Sequence, residues 1–221
     1  MIMRTRYLII ILFIMSLRLN ACPAFTLEDS SYNDMKKSGL KVYNNVLNHI
    51  NILSERLIEK TYKKKNMTDL SRAYLVFKTT ISNWLNFMPK SDNKTAWEKS
   101  LIKFKERLAK IYEEINYLNI PKAEKELKDF KIDFILFYQW NPIDTARTAL
   151  QTKNETILNQ CIMELKELKD LPEHAAIFFE KIKNIDINDE QDIKKQLEWQ
   201  KKNNILLKKE FGEYFEKNSQ L

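Results

Sequence analysis

Glycine is nearly missing from this sequence, since Gly39 and Gly212 are the only two among 221 residues. Tight β-hairpins, phosphate-binding loops and dinucleotide-binding turns need glycine where the backbone takes a positive φ angle. So little glycine argues against sheet-based folds and against the nucleotide-binding enzymes built on them. The composition therefore predicts an all-α protein.

Histidine and cysteine are equally scarce, with two of each. His49 and His174 each lie beside an apolar stripe, and no Glu-x-x-His spacing brings metal ligands onto one helix face. Cys161 lies on an apolar seam without a neighbouring histidine or basic cluster, which favours a packed thiol over a nucleophile. We therefore expect no catalytic residues, no cofactor and no metal site, and we interpret the protein as not an enzyme.

The longest apolar run is at the N-terminal end, where Arg4 and Arg6 precede the ten-residue stretch "LIIILFIMSL". Basic residues before a short apolar core are typical of a secretory signal. A helix of that length rises only about 15 Å, about half the hydrocarbon core of a bilayer. The pattern predicts export, with residues 1–21 as a signal segment. An uncleaved short anchor or a buried N-terminal helix is the alternative.

The stretch Leu19-Asn20-Ala21-Cys22 resembles the signal of bacterial lipoproteins. The resemblance implies cleavage before Cys22 and lipid attachment to its sulfur, which would anchor the protein to a membrane of the periplasm or cell envelope. Ordinary cleavage after Ala24 is the alternative, and it removes Cys22. In either case Cys161 has no partner for an intramolecular disulfide.

Proline and apolar spacing divide the rest of the chain into helices. Pro121, Pro142 and Pro172 stand where helical first turns begin. Between them, apolar residues recur every three or four positions, which gives each helix one apolar stripe. In the second helix this stripe contains Leu70, Tyr74, Phe77, Ile81 and Trp84. The pattern predicts an antiparallel up-and-down bundle of about six to seven helices, including single helices over about 28–63 and 143–170.

Residues 66–140 are similar in plan to the second through fourth helices of the soluble periplasmic cytochrome b family. The likeness lies in a helix ending at "NFMPKSDNK", a following helix, and the turn "YLNIPKAEKEL" before a last helix. It implies a four-helix-bundle-like region over 22–140, with C-terminal helices at 141–221 packed on it. In that family a methionine and a histidine hold haem. Met35 matches the methionine, but Phe134 and Ile135 stand in the turn where the histidine is needed, so we expect the fold without haem.

Charge is nearly balanced after the predicted signal is removed. The three arginines Arg4, Arg6 and Arg18 leave with it, so 34 basic and 30 acidic residues remain, a net charge of +4. Lysines and acids alternate along most segments, which is typical of solvated helix faces. The densest basic run, Lys63–Lys65, lies at a predicted turn, where contact with a membrane surface is an alternative to plain solvation. An exported protein with this charge is not expected to bind nucleic acid.

Two further stretches break the simple pattern. The run "FILFYQWNP" at 134–142 is aromatic nearly all round its helix. It is expected to be buried between the first bundle and the C-terminal helices, or else to form a groove for a partner helix or an apolar ligand. In the last helix Gln200 and Asn204 interrupt the apolar seam, which favours register control or a wet surface.

The sequence thus predicts an exported helical bundle of the cell envelope with a binding or structural role, tethered by lipid at Cys22. Its expected partners are the membrane, through the lipid, and a protein or an apolar ligand. The alternative is a degenerate cytochrome-like module of the periplasm with a redox or metal-binding role.

Overall fold

The computed structural model describes residues 29–86 and 92–219, and every regular element within them is an α-helix. The all-α prediction is therefore confirmed for this part of the chain. The helices are α1 (Asp29–Ile58), α2 (Lys64–Asn86), α3 (Asp92–Asn116), α4 (Ile120–Tyr138), α5 (Pro142–Gln151), α6 (Glu155–Lys166), α7 (Glu173–Lys183) and α8 (Glu190–Ser219).

The single helix expected over 143–170 is two helices, α5 and α6, so this prediction was wrong. Lys153 takes a φ of 49°, a left-handed conformation that interrupts a right-handed helix. Asn154 then starts α6, because its side-chain oxygen accepts a hydrogen bond from the backbone N–H of Ile157 at 3.1 Å. The break is why the described part of the chain contains eight helices where the apolar spacing predicts six or seven.

The chain divides into two compact units, and the division falls inside α4 after Phe134. The sequence pattern places this boundary at residue 140. We call the described residues up to Phe134 the first unit and the residues from Ile135 to Ser219 the second unit.

The first unit is built around buried aromatic rings. These are Tyr43, Tyr74, Phe77, Phe104, Phe130 and Phe134. Phe134 is central, since its ring centroid lies 4.8 Å from that of Phe77 and 5.5 Å from that of Tyr43. The hydroxyl of Tyr74 donates to the carbonyl of Leu101, so this buried polar group is paired. Full burial of each ring contributes about 1.5–3 kcal/mol, and buried aliphatic side chains such as Ile50, Leu53 and Leu70 add similar contributions around the cluster.

Gly39 allows α1 and α2 to approach closely. The indole ring of Trp84 occupies the space where a β-carbon at position 39 would be, so only glycine fits there without a shift. Gly39 lies in the first half of α1 and Trp84 near the end of α2. The antiparallel order of the helices stays a prediction.

The second unit contains α5 to α8. The rings of Phe178 in α7 and Phe211 in α8 meet edge to face, with centroids 5.8 Å apart. The N-terminus of α7 has no capping side chain of its own. Instead, Glu210 of α8 accepts the backbone N–H of Ala175 at 2.9 Å and pairs with Nδ1 of His174 at 2.9 Å. A long-range carboxylate thus caps α7 and joins it to α8.

Candidate functional site

The predicted lipidation site, Cys22, and the predicted signal segment, residues 1–21, lie outside the described residues, as does Ala24. Met35 belongs to α1, but its side chain is also outside the described part. No helix within residues 29–86 and 92–219 combines the length and apolar composition needed to cross a bilayer.

Cysteine and histidine, the residue types that most often act in catalysis, have packing or capping roles in the described residues. Cys161 is completely buried, and its Sγ lies 3.6 Å from the carbonyl oxygen of Pro142. Burial raises the pKa of this thiol well above its ordinary value, which disfavours the reactive thiolate. The predicted packing role of Cys161 is therefore confirmed. His49 is half-buried in α1, and His174 belongs to the α7 cap.

Metal and haem ligation find little support in the geometry. In the part of the chain that the structure describes, no three His, Cys, Asp or Glu side chains are grouped so that they could hold a metal ion. At the position where the cytochrome family has its histidine, Phe134 and Ile135 are fully buried. Phe134 stacks on Phe130 at 5.9 Å and meets Phe104 at 5.7 Å. Aromatic rings thus fill the interior of the first unit, and these residues do not fit a haem.

The aromatic run that begins at Phe134 is mostly buried. Its buried members are Phe134, Ile135, Leu136, Tyr138 and Trp140. Trp140 also donates its indole N–H to Thr145 at 3.2 Å and lies beside Phe215, 6.3 Å between centroids. These residues therefore belong to the protein interior, and the alternative, in which the run forms a groove, does not hold for them.

An open groove of about 750 Å³ is found elsewhere, between α5 and α8 of the second unit. Its apolar lining comes from Leu150, Ile193 and Leu197. Its charged lining comes from Arg147, Lys153, Glu190, Lys194, Glu198 and Lys201. We call this surface the α5–α8 groove. Four basic groups against two acidic groups give the lining a net charge of +2, or +1 when Asp144, the ion-pair partner of Arg147, is included. An apolar floor with a basic rim suits an acidic amphipathic ligand.

Arg147 is held in a defined position at the rim of the α5–α8 groove. Its Nη1 lies 2.8 Å from Oδ1 of Asp144, and its Nη2 donates to Oδ1 of Asn204 at 3.0 Å. Asn204, which the sequence marks as a polar interruption of the seam, thus positions a cation at the groove. At the other end, Lys153 pairs with Glu190 at 2.8 Å and lowers the pKa of that carboxyl.

Three buried polar side chains of the second unit each have at least one polar atom without a hydrogen-bond partner. Gln200 is completely buried with neither amide atom bonded, and Nε2 of Gln196, one turn earlier, is in the same situation. Glu164 accepts one bond, from Gln160 at 2.9 Å, while its other oxygen is unpaired. Burial raises the pKa of Glu164 to about 7. The second unit therefore has a partly polar interior.

The sequence identifies one of these three residues and misses two. Gln200 stands out because it interrupts the seam of α8. Gln196 and Glu164 are missed, although Glu164 follows Cys161 by three positions, the spacing that puts two side chains on one helix face. That spacing is the signal that could have found it.

Comparison with known proteins yields no matching family model, no matching curated protein and no matching solved structure.

Proposed function

We propose that this protein is an exported component of the bacterial cell envelope, tethered by lipid at Cys22, that binds a partner protein through the α5–α8 groove. The observation that carries the proposal is the groove itself, with an apolar floor, a basic rim and a fixed arginine on a chain that begins with an export-type pattern. The proposed function is binding, and it requires no covalent reaction.

The shape of the groove favours an acidic helix over a small ligand. Sites for small molecules cover most of the ligand surface, whereas this groove is open to solvent. Ile193 and Leu197 are four residues apart on α8 and line the same face of the groove, where Ile193 is buried and Leu197 is half-buried. From Glu190 to Asn204 the groove follows α8 for about 21 Å, enough for about four turns of a partner helix. Acidic residues flanking the apolar face of that helix would meet the lysines of the rim.

The first test concerns the tether. Intact-mass measurement on the membrane fraction of the native host should find a chain that begins at Cys22 and carries lipid. Cys22→Ala should abolish this species and release the protein from the membrane or leave it uncleaved. A soluble chain that begins at Phe25 without lipid would refute the tether.

The second test concerns the groove. A photo-crosslinking amino acid at Leu197, on the groove floor, should give a defined product with one envelope protein in the native host. The same group at Ile205, which is exposed on α8 outside the groove lining, should not give it. Lys194→Glu with Lys201→Glu should remove the product, because the substitutions reverse the charge of the rim.

A matched control makes the same change of charge at two positions outside the groove. Lys166→Glu with Lys209→Glu alters two exposed lysines that do not line the groove, and the product should remain. Equal products from positions 197 and 205, or equal loss in both double variants, would overturn the groove proposal. A co-purified lipid or other apolar ligand seen by native mass spectrometry, and lost with Leu197→Gln, would replace the partner helix as occupant.

A redox or metal-binding role is the rival function. Absorbance near the Soret region together with metal analysis of the purified protein tests it directly. A stoichiometric chromophore or metal would replace the proposal made above.

A further inference from the structure

A second surface lies at one end of the first unit, where two chain connections meet. The connection between α1 and α2 and the one between α3 and α4 line the same cleft of about 220 Å³, which includes Tyr62, Lys63, Lys64 and Leu118. Residues 55 positions apart in the chain are thus neighbours. We call residues 58–65 together with 116–120 the tip.

The tip exposes large apolar side chains. Ile58 is 67% exposed, Leu118 is 74% exposed and Tyr117 is 81% exposed. The three lie at the ends of α1 and α3, where polar residues would ordinarily face water. Of the three, Leu118 lines the cleft beside Lys63 and Lys64, and exposed apolar residues beside charged ones are typical of a surface that meets another body.

The tip is also basic. Lys60, Lys63, Lys64 and Lys65 are all exposed, and none of them makes an ion pair within the part of the chain that the structure describes. The only acidic residue of the tip is Glu59, which pairs with Arg56 at 3.2 Å. Four lysines against one glutamate give the tip a net charge of +3.

The position of the lysines and the backbone conformation of Leu118 are both unfavourable for the folded chain when nothing is bound to the tip. Lys64 and Lys65 begin α2, and a helix N-terminus carries a positive partial charge that disfavours cations. The first turn of α2 contains no acidic residue to offset them. Leu118 takes a φ of 58°, a left-handed conformation in which glycine or asparagine is preferred. The turn at Leu118 does satisfy carbonyls at the end of α3, because the N–H groups of Leu118 and Asn119 donate to Ile115 and Glu114 at 3.0 and 2.9 Å. Leucine in place of glycine or asparagine, and lysines at a helix N-terminus, are local rules of the kind that proteins break at functional surfaces.

We propose that the tip docks on a membrane surface that contains anionic lipids. The four lysines contact the headgroups, and Ile58, Tyr117 and Leu118 enter the interfacial layer, the arrangement by which basic and apolar residues together hold peripheral proteins. Charge complementarity favours this occupant, because such a surface offers many negative charges in a plane. The 30 residues of α1 span about 45 Å, so the tip is a contact separate from any tether near residue 22.

A fluorescent probe on the tip tests the proposal in the full chain. Asn116→Cys provides an exposed attachment point for an environment-sensitive dye, and a Cys22→Ala background leaves it as the accessible thiol because Cys161 is buried. Vesicles of phosphatidylcholine with one-third phosphatidylglycerol should shift the emission to the blue. Pure phosphatidylcholine vesicles should shift it far less, and high salt should reverse the shift.

Two variants locate the contact. Lys63→Gln with Lys64→Gln and Lys65→Gln should raise the lipid concentration for half the shift about a hundredfold, since each lysine contributes about fivefold. Leu118→Asn should raise it about tenfold, and asparagine tolerates the left-handed conformation, so the fold is retained. A control that removes equal charge from α3, Lys99→Gln with Lys103→Gln and Lys105→Gln, should have a much smaller effect.

An unshifted probe on anionic vesicles would overturn the proposal, as would equal losses in the two triple variants. Helical circular dichroism and the melting temperature of each variant separate lost docking from lost folding, and Leu118→Asn keeps the test decisive if a triple variant fails to fold. Since the background lacks Cys22, failure of the lipid tether leaves this result unchanged.

Discussion

Replacing Gln200 by methionine is expected to stabilise the protein, although it removes a hydrogen-bonding side chain. Gln200 is completely buried and neither its Oε1 nor its Nε2 has a partner. A buried polar group without a partner costs about 1–3 kcal/mol relative to its solvation in the unfolded chain. Methionine has nearly the same length and volume and no polar atom, so it leaves no cavity. We expect a gain of about 2 kcal/mol in the free energy of unfolding.

Urea titration followed by helical circular dichroism measures this gain, and a thermal scan should show a rise of about 4–8 °C for a chain of this size. The matched control is Gln191→Met, which changes an exposed glutamine of the same helix and should stay within about 0.5 kcal/mol. A loss of stability in Gln200→Met would refute the reasoning, because it would mean that the amide is bonded in solution. Such a result would make the polar interior of the second unit a candidate binding site.

Three further predictions concern single side chains. Burial raises the pKa of Glu164 from 4.5 to about 7. Between these two pH values the folded protein keeps a proton that the unfolded chain releases, so the free energy of unfolding should fall progressively from about pH 4.5 to pH 7. Glu164→Gln should remove that part of the pH dependence and gain about 2 kcal/mol at pH 8 in urea titrations; parallel pH curves for the two proteins would contradict it. Gly39→Ala should lower the free energy of unfolding by about 1–3 kcal/mol, because the ring of Trp84 fills the space of the new methyl group. Adding Trp84→Leu to this variant should recover most of the loss, whereas simply additive losses would show that the two residues do not interact. Glu210→Ala should cost about 1–2 kcal/mol because the N–H of Ala175 loses its acceptor, while Glu210→Gln keeps an acceptor and should lose less than half as much; equal losses in thermal melts would argue against the cap.

The helices were predictable because each of them carries a local signal. Apolar residues at steps of three and four describe one face of a helix wherever the chain continues it, and glycine is too scarce to break the pattern. Apolar spacing also predicted α5 and α6 as one helix, because the spacing continues through Lys153. The capping role of Asn154 was readable in principle, but an N-cap residue also occurs within loops, so the spacing alone did not decide the boundary.

The sequence predicted which residues are buried in most cases, but it did not predict which hydrogen-bond partners the buried polar groups have. The seam positions of Cys161 and Gln200 follow from spacing along one helix. Whether the amide of Gln200 finds a partner depends on which atoms the neighbouring helices place opposite it. Glu164 shows the same limit, because its raised pKa comes from burial among residues that are distant in the chain.

By itself the sequence determined the helical class of this protein, the existence of most helices and the stripe that each one buries. These properties depend on hydrogen bonds and side-chain spacing within one or two turns, which are local in the chain. Only the tertiary structure decided that Arg147 and Asn204 meet at the α5–α8 groove and that Lys63 lies beside Leu118 at the tip. Such surfaces depend on how helices pack side by side, and that packing is set by the fit of side chains far apart in sequence.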